Sequence, residues 1–147
     1  MTRVLYTARA TVSGGRIAGH GRTSDGALAV ELGLPPELGG EAGGGKTNPE
    51  QLLAIGYAAC FESALTLVAR RQRTDVGDPS VESRVHLQPI EKRGFELSVE
   101  LDVTLPAIDD AEQAAQIVAA AHRVCPYSNA TRGNIEVKLT ANGQPVG

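Results

Sequence analysis

Asn48-Pro49-Glu50-Gln51-Leu52-Leu53-Ala54-Ile55-Gly56-Tyr57-Ala58-Ala59-Cys60-Phe61, running on without interruption to Arg70-Arg71-Gln72-Arg73, decides the fold. Asn48 is a preferred N-cap, and Pro49 stands at the first helical position, where its missing N–H is no loss. Gln51, three after the cap, gives a capping-box-like start. The closing arginines complement the negative end of a helix. In between, Leu52, Leu53, Ile55, Tyr57, Phe61, Leu65, Leu67 and Val68 leave little polar face, and no charge falls between Glu50 and Glu62. A helix apolar nearly all round has to be covered on all sides. In a chain of 147 residues with 3% aromatics the core is thin, so one side of this helix is expected to meet a second copy of the chain.

Working outward, the flanking segments switch to a period of two. Val4, Tyr6, Ala8, Ala10 and Val12 alternate with mostly polar neighbours, and Leu28, Val30, Leu32 and Leu34 do so after a glycine turn. Val81 to Ile90 reads as a weaker strand. Phe95, Leu97, Val99, Leu101, Val103 and Leu105 against Glu96, Ser98, Glu100, Asp102 and Thr104 make the clearest one, and Ile135, Val137, Leu139 and Ala141 the last. A second helix, from about Asp109 to Val124, starts with acids and carries Ala114, Ile117, Ala121 and Val124 at helical spacing. No repeat or hydrophilic linker divides the chain, so residues 1–147 are read as one α+β domain, large enough for a core.

A net charge of -3 gives no reason to expect nucleic acid or an anionic membrane as a partner. Neither a signal-peptide apolar region nor a membrane-length run follows the N-terminal Met1-Thr2-Arg3-Val4-Leu5-Tyr6, which makes the cytoplasm the expected compartment and leaves the membrane out. Two cysteines far apart in such a chain are not a disulfide scaffold; a bond between them would be transient and chemical.

Several motifs fail on context. Gly40-Glu41-Ala42-Gly43-Gly44-Gly45-Lys46-Thr47 fits the phosphate-loop pattern by letter. That pattern works when a helix begins near the Lys and aims its N–H groups at phosphate. Here Asn48-Pro49 starts the helix too late, and no nucleotide cofactor is expected. His122 and Cys125 could share a metal, but His20 and His86 sit elsewhere and no paired CxxC or HxxxH accompanies them, so no metal is expected either. His122, near a helix end, reads as a dipole partner. No GxSxG elbow supports serine hydrolysis.

The cysteines remain. A thiol in an apolar helix is more often core filler than nucleophile. Their contexts, however, are distinctive: Thr47-Asn48-Pro49-Glu50-Gln51-Leu52, Gly56-Tyr57-Ala58-Ala59-Cys60-Phe61, and His122-Arg123-Val124-Cys125-Pro126-Tyr127-Ser128-Asn129-Ala130-Thr131-Arg132-Gly133-Asn134. Together they closely resemble the organic hydroperoxide resistance (Ohr) branch of the Ohr/OsmC family, over nearly the whole chain. The resemblance implies an OsmC-like fold, with antiparallel strands around a long buried central helix in an intertwined homodimer. It implies a thiol peroxidase that reduces organic hydroperoxides to alcohols and is recycled by dihydrolipoamide or a lipoylated protein. It makes Cys60 the peroxidatic and Cys125 the resolving cysteine, Glu50 the acidic site residue, and Arg16 of Gly14-Gly15-Arg16 the site arginine. The family commonly continues Gly-Gly-Arg-Asp-Gly, whereas this chain has Arg16-Ile17-Ala18-Gly19, which keeps Arg22 as a substitute for Arg16.

The chemistry fits those residue types. A guanidinium within about 4–6 Å favours a thiolate, and Glu50 can hold that guanidinium through a two-pronged pair. Glu50 and Cys60 stand ten residues apart on one helix, about 15 Å along its axis. Unless the helix breaks at Gly56, the Glu50 serving a given Cys60 comes from a second copy. A related OsmC-branch peroxidase, and a redox sensor or apolar-ligand binder that does not turn over, remain as alternatives.

Overall fold

Residues 2–41 and 43–147 are described by the computed structural model of the chain; Met1, and Ala42 inside the phosphate-loop pattern, lie outside the described residues. The protein is α+β, and its elements fall into two units, one up to Leu52 and one from Leu53 to Gly147.

In the first unit, β1 (Ala10–Ser13), β2 (His20–Thr23), β3 (Ala29–Leu32) and β4 (Lys46–Thr47) form a sheet in that order. The first three pair antiparallel, while β4 lies parallel to β3, with Glu31 opposite Lys46 and Leu32 opposite Thr47. Strand pairing begins only at Ala10, so the strand expected from Val4 is short. Val4, Leu5 and Tyr6 precede it unpaired and exposed, because β2 has four residues to offer. Lys46 and Thr47 are extended strand backbone, and the helix N-terminus follows later, with the Gln51 N–H donating to Asn48 Oδ1 at 2.8 Å. The phosphate-loop pattern therefore lacks the helix that would aim its N–H groups at a phosphate.

A one-turn helix, α1 (Gly15–Ala18), links β1 to β2, and α2 (Pro49–Arg71) starts in the first unit and continues into the second. It passes through Gly56 unbroken. Its length and composition suit a membrane span, contrary to the expectation that no membrane-length apolar run follows the N-terminus. The inward residues Tyr57, Phe61, Ala64, Leu65, Val68 and Ala69 instead make it a core helix of the second unit. Burial is one-sided: Ile55 and Leu67 stay exposed, so the all-round cover expected of so apolar a helix is not supplied by the described residues.

The second unit's sheet runs β5 (Ser80–Ile90), β6 (Gly94–Thr104), β7 (Val137–Ala141), β8 (Gln144–Val146). β5 and β6 form an antiparallel hairpin from Ser80 opposite Thr104 to Ile90 opposite Gly94, and β6 pairs parallel with β7, a departure from purely antiparallel strands. Asn142-Gly143, both at positive φ, turn β7 antiparallel into β8, as an Asn-Gly hairpin turn requires. One face of β6 buries Val99, Leu101 and Val103 against Ile117, Val118 and Ala121 of α3 (Ala111–Val124) and against α2. Each fully buried Leu, Ile or Phe of this kind contributes about 1.5–3 kcal/mol. Asp110 caps α3 by accepting the Glu112 N–H. Pro126 then ends it, because the residue before proline is driven out of helical geometry: Cys125 is extended at φ -67°, ψ 122°, and a new helix, α4 (Pro126–Thr131), begins.

Candidate active site

Arg16 sits on α1 because Gly14 and Gly15 precede it at φ 88° and 79°, a left-handed pair of conformations that side chains rarely adopt. That tight turn aims the guanidinium at the first turn of α2, where Nη2 of Arg16 bonds Oε1 of Glu50. An acid belongs at that helix end on dipole grounds alone. The contact joins one nitrogen to one oxygen rather than forming the expected fork. With Arg16 39% and Glu50 17% exposed, such a pair adds only about 0–1 kcal/mol of stability. Arg22, on β2, is exposed and makes no ion pair among the described residues. Beside α1 a cavity of 760 Å³ is lined by Ile17, Leu34, Pro35 and Pro36 together with Lys46 and Asn48.

In the second unit, Cys60 lies half-buried on α2 and Cys125 fully buried at the α3–α4 junction, both as free thiols with their sulfurs 3.5 Å apart. The kink at Pro126 puts Cys125 there. A disulfide has its sulfurs about 2.05 Å apart, so bond formation needs a shift of only about 1.5 Å. Burial pushes the Cys60 thiol above its ordinary value; the Tyr127 backbone N–H pulls it back, and the neighbouring Cys125 thiol adds to the rise. None of these groups is a cation that would favour the thiolate.

Around the sulfurs stand Tyr57, Tyr127, Ser128 and Thr131, to which the sequence assigned no role. Tyr57, fully buried on α2, bonds Ser128 and Thr131 of α4, and Ser128 bonds His122 of α3. Tyr127 packs its ring on Tyr57 with centroids 5.5 Å apart, and an added Cβ at Gly56 would lie 2.9 Å from its hydroxyl. The glycine is the space the Tyr127 ring occupies. His122 departs from the dipole-partner reading: burial, then the charge of Arg132, hold its ring below the ordinary value. Among the described residues no group of three His, Cys, Asp or Glu side chains comes together to hold a metal.

Residues 41–140 match the family model described as OsmC-like protein. The organic hydroperoxide resistance protein of Xanthomonas axonopodis pv. citri is 52% identical over 139 residues, which cover 94% of this chain and 95% of that protein. Among solved structures, the organic hydroperoxide resistance protein of Elizabethkingia anophelis with crystallant-derived thiocyanate bound has a TM-score of 0.89 at 47% identity, covering 95% of this chain and 97% of that one. OhrB of Bacillus subtilis gives 0.81 at 45% identity, covering 93% and 98%.

Proposed function

Since the chain belongs to the OsmC-like family, in its organic hydroperoxide resistance branch, we propose that it is a cysteine-based peroxidase that reduces organic hydroperoxides to alcohols. The observation that carries this reading is the pair of free thiols 3.5 Å apart. The Cys60 thiolate attacks the terminal peroxide oxygen, the O–O bond breaks, and the alkoxide leaves as the alcohol after taking a proton. Sulfur is left as a sulfenic acid. Cys125 then bonds to that sulfur, the S–O bond breaks, and water departs with the Cys125 proton. A lipoyl dithiol, free as dihydrolipoamide or carried on protein, returns two electrons and two protons through exchange with the disulfide. The apolar core against which Cys60 packs supports an organic substrate over hydrogen peroxide, since each buried CH₂ contributes about 0.8 kcal/mol.

Arg16 supplies the cation that favours the thiolate, and Glu50 orients it. The helix that carries Glu50 and Cys60 has no break at Gly56, so ten residues separate them by about 15 Å along the axis. The Arg16–Glu50 pair serving a given Cys60 accordingly comes from a second copy, in an intertwined homodimer whose chains, 1–147, each work as one domain. The exposed Val4, Leu5 and Tyr6 and the exposed side of α2 are the surfaces that second copy covers. Two free thiols suit a reducing compartment such as the cytoplasm.

Treatment with cumene hydroperoxide in the absence of reductant tests the reading. Intact mass should fall by two hydrogens as Cys60 and Cys125 join, and Cys125→Ser should stop at an oxygenated Cys60. An unmodified protein after treatment contradicts it.

A further inference from the structure

One buried polar cluster has no task in that reaction. Tyr57 and Ser128 are fully buried, and buried hydroxyls are costly unless their hydrogen bonds are made. Tyr57 Oη lies 2.9 Å from Ser128 Oγ and 3.1 Å from Thr131 Oγ1; Ser128 Oγ lies 2.8 Å from His122 Nδ1. Thr131 Oγ1 donates to the Ser128 carbonyl at 3.2 Å. Each hydroxyl has one hydrogen. With the hydrogen of Thr131 committed to that carbonyl, Tyr57 has to donate to Thr131, Ser128 to Tyr57, and His122 from Nδ1 to Ser128. This order gives every contact one hydrogen. The reverse order leaves Tyr57 and Thr131 facing each other with none between them. The cluster therefore selects one tautomer of the neutral His122 ring, with its proton on Nδ1 and a lone pair on Nε2.

The placement of the cluster matters as much as its order. Tyr57 lies three positions before Cys60 on α2, His122 three before Cys125 on α3, and Ser128 three after Cys125 on α4. Arg132 adds a bond to the His122 carbonyl, tying the end of α4 to α3 again. Every helix that carries or flanks a reacting sulfur is thus fixed to the others through one set of hydroxyls.

We propose that Tyr57, Ser128, Thr131 and His122 are a positioning clamp for the disulfide-forming step, holding Cys125 against Cys60 so that the bond closes before a second hydroperoxide arrives. The clamp rests on the peroxidase reading above. In the productive step the Cys125 sulfur bonds to the Cys60 sulfur, the S–O bond of the sulfenic acid breaks, and water leaves. In the competing step a second hydroperoxide transfers an oxygen to the sulfenic acid, giving a sulfinic acid and another molecule of alcohol. The clamp raises the first rate and has no contact with the second reagent, so it sets the ratio of the two products.

The test uses full-length Tyr57→Phe and Ser128→Ala with cumene hydroperoxide, following sulfenic acid formation by single-turnover kinetics and the disulfide-to-sulfinate ratio by intact mass. In both variants the sulfenic acid should form at the wild-type rate. The disulfide should close about fivefold or more slowly, the factor carried by one net hydrogen bond, and sulfinate should appear at correspondingly lower hydroperoxide. His122→Asn, which keeps a donor near the Nδ1 position, should retain the wild-type ratio, and His122→Phe should lose it. Histidine ¹⁵N spectra at pH 8 should show the His122 proton on Nδ1. A wild-type ratio in both Tyr57→Phe and Ser128→Ala overturns the clamp alone, as does equal slowing of both steps. A wild-type protein that forms no disulfide overturns the peroxidase reading and the clamp with it.

Discussion

At the scale of single residues, the thiol pair and the ion pair differ in their electrostatics. Burial keeps the Cys60 thiol above its ordinary value, and Cys125 pushes the same way, while the Arg16 guanidinium is already held by Glu50. If Arg16 is the cation that ionises Cys60 in the working protein, Arg16→Ala should raise the Cys60 pKa by at least about one unit, the size expected when a close opposite charge is lost. Thiolate absorbance against pH reads this directly. A shift in Arg22→Ala instead would move the role to β2. His122 gives a second pH effect. Its folded-state value lies below the ordinary 6.5 because burial and Arg132 disfavour the cation, so the folded protein binds fewer protons than the unfolded chain as pH falls through that range. The stability it contributes is therefore present above about pH 6.5 and lost below it. Urea unfolding at pH 8 and pH 5.5 should show a larger loss for wild type than for His122→Asn; equal losses would take the effect away from His122.

At the scale of elements, the long periodic segments were legible and the short ones were not. The caps and breadth of α2, the α3 stripe and the alternation of β5 and β6 each span several periods, and the structure forms them with boundary shifts of a residue or two. α1, β2, β4, α4 and β8 hold two to six residues apiece, less than a pattern can reveal. The same limit hides the clamp. Tyr57 and Ser128 stand 71 positions apart, and each reads locally as an ordinary helix residue. Cys60, Cys125, Arg16 and Glu50 were found through their resemblance to a family rather than through spacing, since a cysteine in an apolar helix reads first as core. Gly56 shows what the element scale adds. In a helix interior Gly→Ala gains about 0.5–1 kcal/mol, but the new Cβ would meet the Tyr127 hydroxyl at 2.9 Å. Tyr127 is 39% exposed and able to swing out, so Gly56→Ala should change unfolding stability by less than about 1 kcal/mol while altering tyrosine fluorescence. A loss above about 2 kcal/mol would mean that the ring is locked in place.

At the scale of the whole molecule, the claim with the widest consequence is that one chain does not hold a complete site. Glu50→Ala and Cys60→Ser proteins, each inactive or weak alone, should regain activity when mixed under conditions of subunit exchange. A mixed dimer has one intact site, with Cys60 from one chain and Glu50 from the other, and an equal mixture reaches about a quarter of wild-type activity per subunit from the statistics of a two-fold dimer. Exchange without recovery would confine the site to one chain. Beneath that claim lies the central one, that the Cys60–Cys125 pair is catalytic rather than a switch. The most direct measurement is the alcohol released per subunit when the wild-type protein is given excess cumene hydroperoxide and dihydrolipoamide. A peroxidase releases many equivalents in steady state, and Cys60→Ser releases none above the uncatalysed background. Release of a single equivalent followed by arrest with the disulfide in place, dithiol still present, would contradict catalysis and make the pair a redox sensor.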